Sequence, residues 1–196
     1  MSSVIDVCNV ALALTGDKPI TSLTDGTPTA NDCGQNYESV RNFVFGIHPW
    51  NCLIKSTSLS ASTTEPATLD YDYQYLLPAD CARVLNVDTT GQWRIEQRYI
   101  LTNEAAPLYI RYVQVVEDPA SWDVRLREVV SHALAVRLSE RRSQSTNKKR
   151  ELKDDFKNVL RMAVRADAQE GSTPTLVEDD WLTVRGTTWS SQDWAT

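Results

Sequence analysis

Leu69-Asp70-Tyr71-Asp72-Tyr73-Gln74-Tyr75 alternates large apolar and polar side chains with a period of two. That period belongs to a strand with one buried face, not to a helix. The stretch lies mid-chain between segments of helical spacing, so its reading decides the fold class. Toward the C-terminus, Leu77-Pro78-Ala79-Asp80 marks a turn, and Val84, Leu85 and Val87 begin another strand that Thr90-Gly91 turns back. Trp93-Arg94-Ile95-Glu96 and Tyr99-Ile100-Leu101 read as short strands. In the last strand Leu108, Ile110 and Tyr112 alternate with Tyr109, Arg111 and Val113. On the N-terminal side, residues 52–64 are rich in Ser and Thr with a short alternation. Several short strands in series predict an antiparallel sheet or small sandwich.

Helical periods flank this β region. Residues 2–15 carry Val4, Val7, Ala11 and Leu14 on one stripe and Ile5, Cys8 and Leu12 on another, with Ser2 or Ser3 to cap and Gly16 to stop. Thr27-Pro28 opens a second helix, whose seam Ala30, Cys33, Tyr37, Val40 and Val44 runs to about Gly46, where His48-Pro49-Trp50-Asn51 breaks it. Beyond Asp118-Pro119, a helix over 120–141 presents Trp122, Leu126, Val129, Val130, Ala133, Leu134 and Leu138. After a short polar break another runs over 147–169, with Leu152, Phe156, Val159, Leu160 and Ala163 on one face and Gly171 as its stop. The short connection predicts an antiparallel pair. The expected fold is α+β. The N- and C-terminal helix pairs (1–50 and 118–171) form a four-helix bundle, with an inserted antiparallel β domain (51–117) and an extended C-terminal tail (172–196).

Composition narrows the function classes. A net charge of −6 argues against tight duplex DNA binding, which needs clustered cations to neutralise phosphates. Cys8, Cys33, Cys52 and Cys81 contain no C-x-x-C pair, so neither a zinc site nor a thioredoxin-like motif is indicated. The first residues do not read as a signal peptide, and no apolar run nears the roughly 20 residues of a bilayer span. The expectation is a chain that is cytosolic when made, with reduced, mostly buried thiols.

The search for chemistry returns no catalytic, cofactor-binding or metal-binding residue. His48 and Cys52 are four apart, but Pro49 prevents a continuous helix from placing them on one face, so a turn histidine and a packed thiol are expected. His132 falls beside helical core positions and reads as a structural histidine. Asp70 and Asp72 share one strand face and Asp179-Asp180 are adjacent, but neither pair has calcium-loop spacing. Asp167, Glu170 and Glu178 show no partner for acid–base work. No phosphate-cradling glycine loop is present. The residues left over are surface residues. Arg137, Arg141, Arg142, Lys148, Lys149 and Arg150 gather at one helix–helix turn, and Trp181, Arg185, Trp189 and Trp194 mark a tail that cannot bury its own rings. Such a tail reads as a docking element.

The order of these pieces resembles the bacteriophage head-to-tail adaptors of the tail tubular protein A (gatekeeper) family. The likeness begins with Ala11-Leu12-Ala13-Leu14-Thr15-Gly16 followed by Pro19-Ile20 and Ser22-Leu23, then Pro49-Trp50-Asn51. It continues through Leu77-Pro78-Ala79-Asp80-Cys81-Ala82-Arg83-Val84-Leu85, Ile95-Glu96-Gln97-Arg98-Tyr99-Ile100-Leu101-Thr102 and Leu108-Tyr109-Ile110-Arg111-Tyr112-Val113. It closes with Asp118-Pro119 before Trp122-Asp123, Asp167-Ala168-Gln169-Glu170-Gly171 and Asp180-Trp181-Leu182-Thr183-Val184-Arg185. Where the family most often has glycine before the Arg of the fourth block, this chain has Gln97.

The resemblance implies a structural virion protein without enzymatic activity or cofactor. It would be a homo-oligomeric, dodecameric ring between the portal protein and a tail nozzle of the tail tubular protein B type, through whose channel the genome passes without specific binding. The helical bundle would form the ring body, the β part would face tail components, and the C-terminal segment would reach the portal. A repeated heterologous interface needs two different faces. Arg141, Arg142, Lys148 and Lys149 are candidates for one, Asp70 and Asp72 for the other. Two further readings stay open: another neck or head-completion connector, and a small hydrolase using Cys52 and His48.

Overall fold

A computed structural model describes residues 3–63, 66, 70–142 and 146–170. Its element order is α1 (Val4–Thr15), α2 (Pro28–Ile47), β1 (Ile54–Leu59), β2 (Tyr73–Leu76), β3 (Cys81–Val87), β4 (Trp93–Glu96), β5 (Tyr99–Thr102), β6 (Leu108–Gln114), α3 (Val124–Arg142) and α4 (Thr146–Gln169). The fold is α+β, with four helices and two small antiparallel sheets. The helix ends follow local chemistry. The Ser3 hydroxyl accepts the Asp6 N–H while the Asp6 carboxylate accepts that of Ser3, which closes a capping box on α1. Gly16 ends the helix at φ +83°, a conformation glycine adopts without steric cost. Thr27 caps α2 by accepting the Ala30 N–H, with Pro28 in the first turn.

Helix α3 is the shared partner of the helical layer, since α1, α2 and α4 each pack against it. Their common core takes Val7, Cys8, Ala11 and Leu12 from α1 and Ala30, Cys33, Tyr37, Val40, Val44 and Phe45 from α2. It meets Leu126, Val129, Val130, Leu134 and Leu138 of α3, with Leu152 and Ala163 from α4. Trp122 is buried here, but it precedes α3 instead of lying on it. A single 3-10 turn over Pro119–Ser121, capped by Asp118, comes first, and the Asp123 carboxylate accepts the Arg125 N–H at the start of α3. The helix predicted from residue 120 therefore begins at Val124.

The sheets have strand orders β1-β6-β3 and β2-β5-β4, antiparallel throughout. They share a second core of Leu108, Ile110, Tyr112 and Val87 from the first sheet and Tyr75 and Ile100 from the second. Val113, adjacent to Tyr112, belongs to the helical core. Alternation along β6 thus places one sheet between the helices and the other sheet.

The strand predicted across 69–75 is shorter. It begins at Tyr73, and Asp70 and Asp72 precede it. Its partner β5 has four residues, and beyond Thr102 the ladder is replaced by a side chain: Asn103 Oδ1 accepts the Asp72 N–H at 2.9 Å. Leu69 lies outside the described residues.

Candidate functional site

The basic cluster surrounds the connection from α3 to α4. Glu140 is its hub. Its carboxylate lies 3.9 Å from Arg137 on its own helix and 3.4 Å from Lys153 on the facing one, and its carbonyl accepts Lys149 Nζ at 3.5 Å. Lys148 pairs with Glu151 at 3.5 Å. Arg141 and Arg142 close α3, and their side chains lie outside the described set. At the Glu140 hub two cationic groups share one carboxylate and a third meets the carbonyl, which leaves a positive rim. Exposed pairs of this kind each contribute about 1 kcal/mol or less, so the cluster adds little to stability and is available to a partner.

Beside this rim a groove of about 260 Å³ runs between α2 and the α3–α4 pair. It is lined by Val40 and Phe43, by Ala133 and Val136, by Phe156, and by Arg137 and Glu140 at its edge. Phe43 is 63% exposed, which is unusual for a phenylalanine on a packed helix. The seam Ala30–Val44 fixes the buried stripe of α2, and Phe43 falls just off it.

Asp70 and Asp72 sit at the far side of the β region, exposed, near Tyr71, Gln92, Trp93, Arg94 and Asn103. They do not share a strand face, because the strand begins after them. The predicted acidic half of an interface is therefore a loop at one end of the outer sheet, while the basic half is on the helical hairpin.

The structure brings together three residues that sequence spacing did not connect. His48 Nε2 lies 2.8 Å from Asp167 Oδ2. Asp167 Oδ1 accepts the Asn51 N–H at 3.0 Å, and the Asn51 amide donates to the Asp167 carbonyl at 2.6 Å. Asp167 is 9% exposed. It ties the last turn of α4 to the joint between α2 and β1. Glu170 lies 3.6 Å from Arg125. An acid–histidine pair orients a general base only when a nucleophile is in reach. Although Cys52 is exposed as a residue, desolvation pushes its thiol above the ordinary cysteine value, away from the thiolate. The bonds of Asp167 turn inward onto Asn51 and His48, as in a structural latch. His132 donates from Nδ1 to the Glu128 carbonyl at 2.9 Å, the helical self-satisfaction expected of it.

Cys8 and Cys33 are buried, and hydrogen bonding between them pushes the Cys8 thiol far up. Trp181, Arg185, Trp189 and Trp194 lie outside the described residues. Among the described residues no helix is long and apolar enough to cross a membrane, and no group of three His, Cys, Asp or Glu is placed to hold a metal. No protein-family model and no curated protein matches the sequence, so the functional reading rests on the residues and their geometry.

Proposed function

We propose that the chain is a structural protein of a tailed-phage particle, a head-to-tail adaptor that forms a ring between portal and tail nozzle. The observation that carries this reading is the ordered series of family-like motifs, because their residues sit at the joints of the fold. Gly16 ends α1, and Trp50 is buried at the α2–β1 joint with its indole N–H on the Val44 carbonyl at 3.0 Å. Asp80 receives the Tyr112 hydroxyl at 3.1 Å and Lys55 at 3.4 Å, and its carbonyl takes the Val115 N–H, which holds β1, the start of β3 and the end of β6 together. Asp118 caps the turn before α3, and Asp167 latches α4. A series of weak motifs that coincides with such joints describes one architecture repeated in a family better than chance composition does.

In this reading the four helices act as the bundle of the ring body, the two sheets face the tail, and Trp181, Arg185, Trp189 and Trp194 dock on the portal. DNA passes through the channel without being gripped, as the acidic balance suits. The test is native mass spectrometry of the purified chain, alone and mixed with the portal protein of the same phage. Ring-sized assembly on the portal is expected. Failure to associate in any of several buffers overturns the adaptor reading and leaves another neck connector as the alternative.

A further inference from the structure

The groove between α2 and the α3–α4 pair has an apolar floor, an exposed phenylalanine and a positive rim. Val40, Phe43, Ala133, Val136 and Phe156 make the floor, Arg137 and Lys153 share the carboxylate of Glu140, and Lys149 reaches the Glu140 carbonyl. Its complement is a short segment with acidic residues directly beside a large apolar ring. The chain carries one such segment outside the described residues: Glu178-Asp179-Asp180-Trp181-Leu182. We propose that in the chain free of any portal this groove is the docking site of residues 178–182 of its own C-terminal segment, with Trp181 on Phe43 and Phe156 and the carboxylates on the Arg137–Lys149–Lys153 rim.

The reach allows it. Phe156 lies thirteen residues back along α4 from Gln169, about 20 Å at the helical rise. Trp181 lies twelve residues beyond Gln169, and an extended chain of that length spans up to about 40 Å. A second shallow groove, lined by Val124, Arg125, Glu128, Val159, Met162 and Ala163, is nearer the end of α4. Its one cation, Arg125, already faces both Asp123 and Glu170, so it offers no positive charge to an acidic segment. Charge complementarity therefore selects the first groove.

Hydrogen–deuterium exchange of the full chain at micromolar concentration tests this. Amides of residues 178–184 should exchange at least about tenfold more slowly than an unstructured segment. Protection should disappear in Phe43→Asp, an exposed position whose substitution leaves the fold intact, as a circular-dichroism melt checks directly. It should also disappear in Lys149→Glu/Lys153→Glu and return when Glu178→Lys and Asp180→Lys are added. Three results would overturn the proposal: unprotected amides in the parent chain, protection that survives Phe43→Asp, or protection that rises with protein concentration. The last would assign the segment to a second copy. The readout needs no portal, so it stands or falls apart from the adaptor reading.

Discussion

Gln97 holds a backbone conformation that its side chain disfavours. It is the first residue of the two-residue loop between β4 and β5, and its φ is +53°, where a Cβ crowds the backbone. Glycine is preferred at such a loop position. Gln97 is exposed, so its side chain supplies little packing to offset the strain. Gln97→Gly should stabilise the fold by about 1 kcal/mol, the relief of strain slightly exceeding the entropy gained by the unfolded chain. Urea unfolding followed by circular dichroism measures it, and an unchanged or lower midpoint would show that the hairpin carries no strain there. Tyr37 is a related local anomaly. Its hydroxyl is buried without a hydrogen-bond partner among the described residues, and desolvation pushes its ionisation well up.

The elements end where specific side chains finish their backbone bonding. Side chains from beyond α2 return to the carbonyls of its last turns. Trp50, fully buried, returns its indole N–H to the Val44 carbonyl at 3.0 Å, and Arg83 reaches that of Gly46 at 3.3 Å. Trp122 repeats the device before α3, donating to the Val116 carbonyl at 3.0 Å while its ring meets Phe45 edge-on at 5.2 Å. Trp50→Phe keeps an aromatic ring but removes a buried hydrogen bond, so it should cost about 1 kcal/mol. Trp50→Ala, which adds a cavity, should cost about 3–5 kcal/mol. Thermal unfolding of the two variants side by side checks the difference, and a Phe variant as stable as the parent would show that the Val44 carbonyl finds another donor. These elements were legible in the sequence because their periods are local: the seam of α2, the alternation of β6 and the Thr27-Pro28 start all fall as read. The misreadings have physical causes. Trp122 fits a helical face by spacing yet serves as a pre-helix plug, and Tyr71 alternates correctly but has no opposing strand residue. The His48–Asp167 contact joins residues 119 apart, and neither end carries a local signal of the other.

At the scale of the whole molecule, the described residues form two cores. The helical core draws on α1 to α4 and the second core on the two sheets, and both are assembled from residues before 171. Asp167 and Arg125 fasten the end of α4 from opposite sides, through Asn51 and His48 on one and Glu170 on the other. On the adaptor reading proposed above, the rings Trp181, Trp189 and Trp194 serve assembly and not the stability of the fold. Deleting residues 172–196 should leave a folded protein whose melting midpoint shifts by no more than about 4 °C, the equivalent of about 1 kcal/mol for a chain of this size. The same deletion should abolish or strongly weaken assembly on the portal. Scanning calorimetry reads the first and native mass spectrometry with portal the second. A deletion that unfolds the protein would make the segment part of the core. A deletion that assembles normally would move portal docking to the sheets or the basic helix turn, where Lys148 and Lys149 then become the residues to reverse in charge.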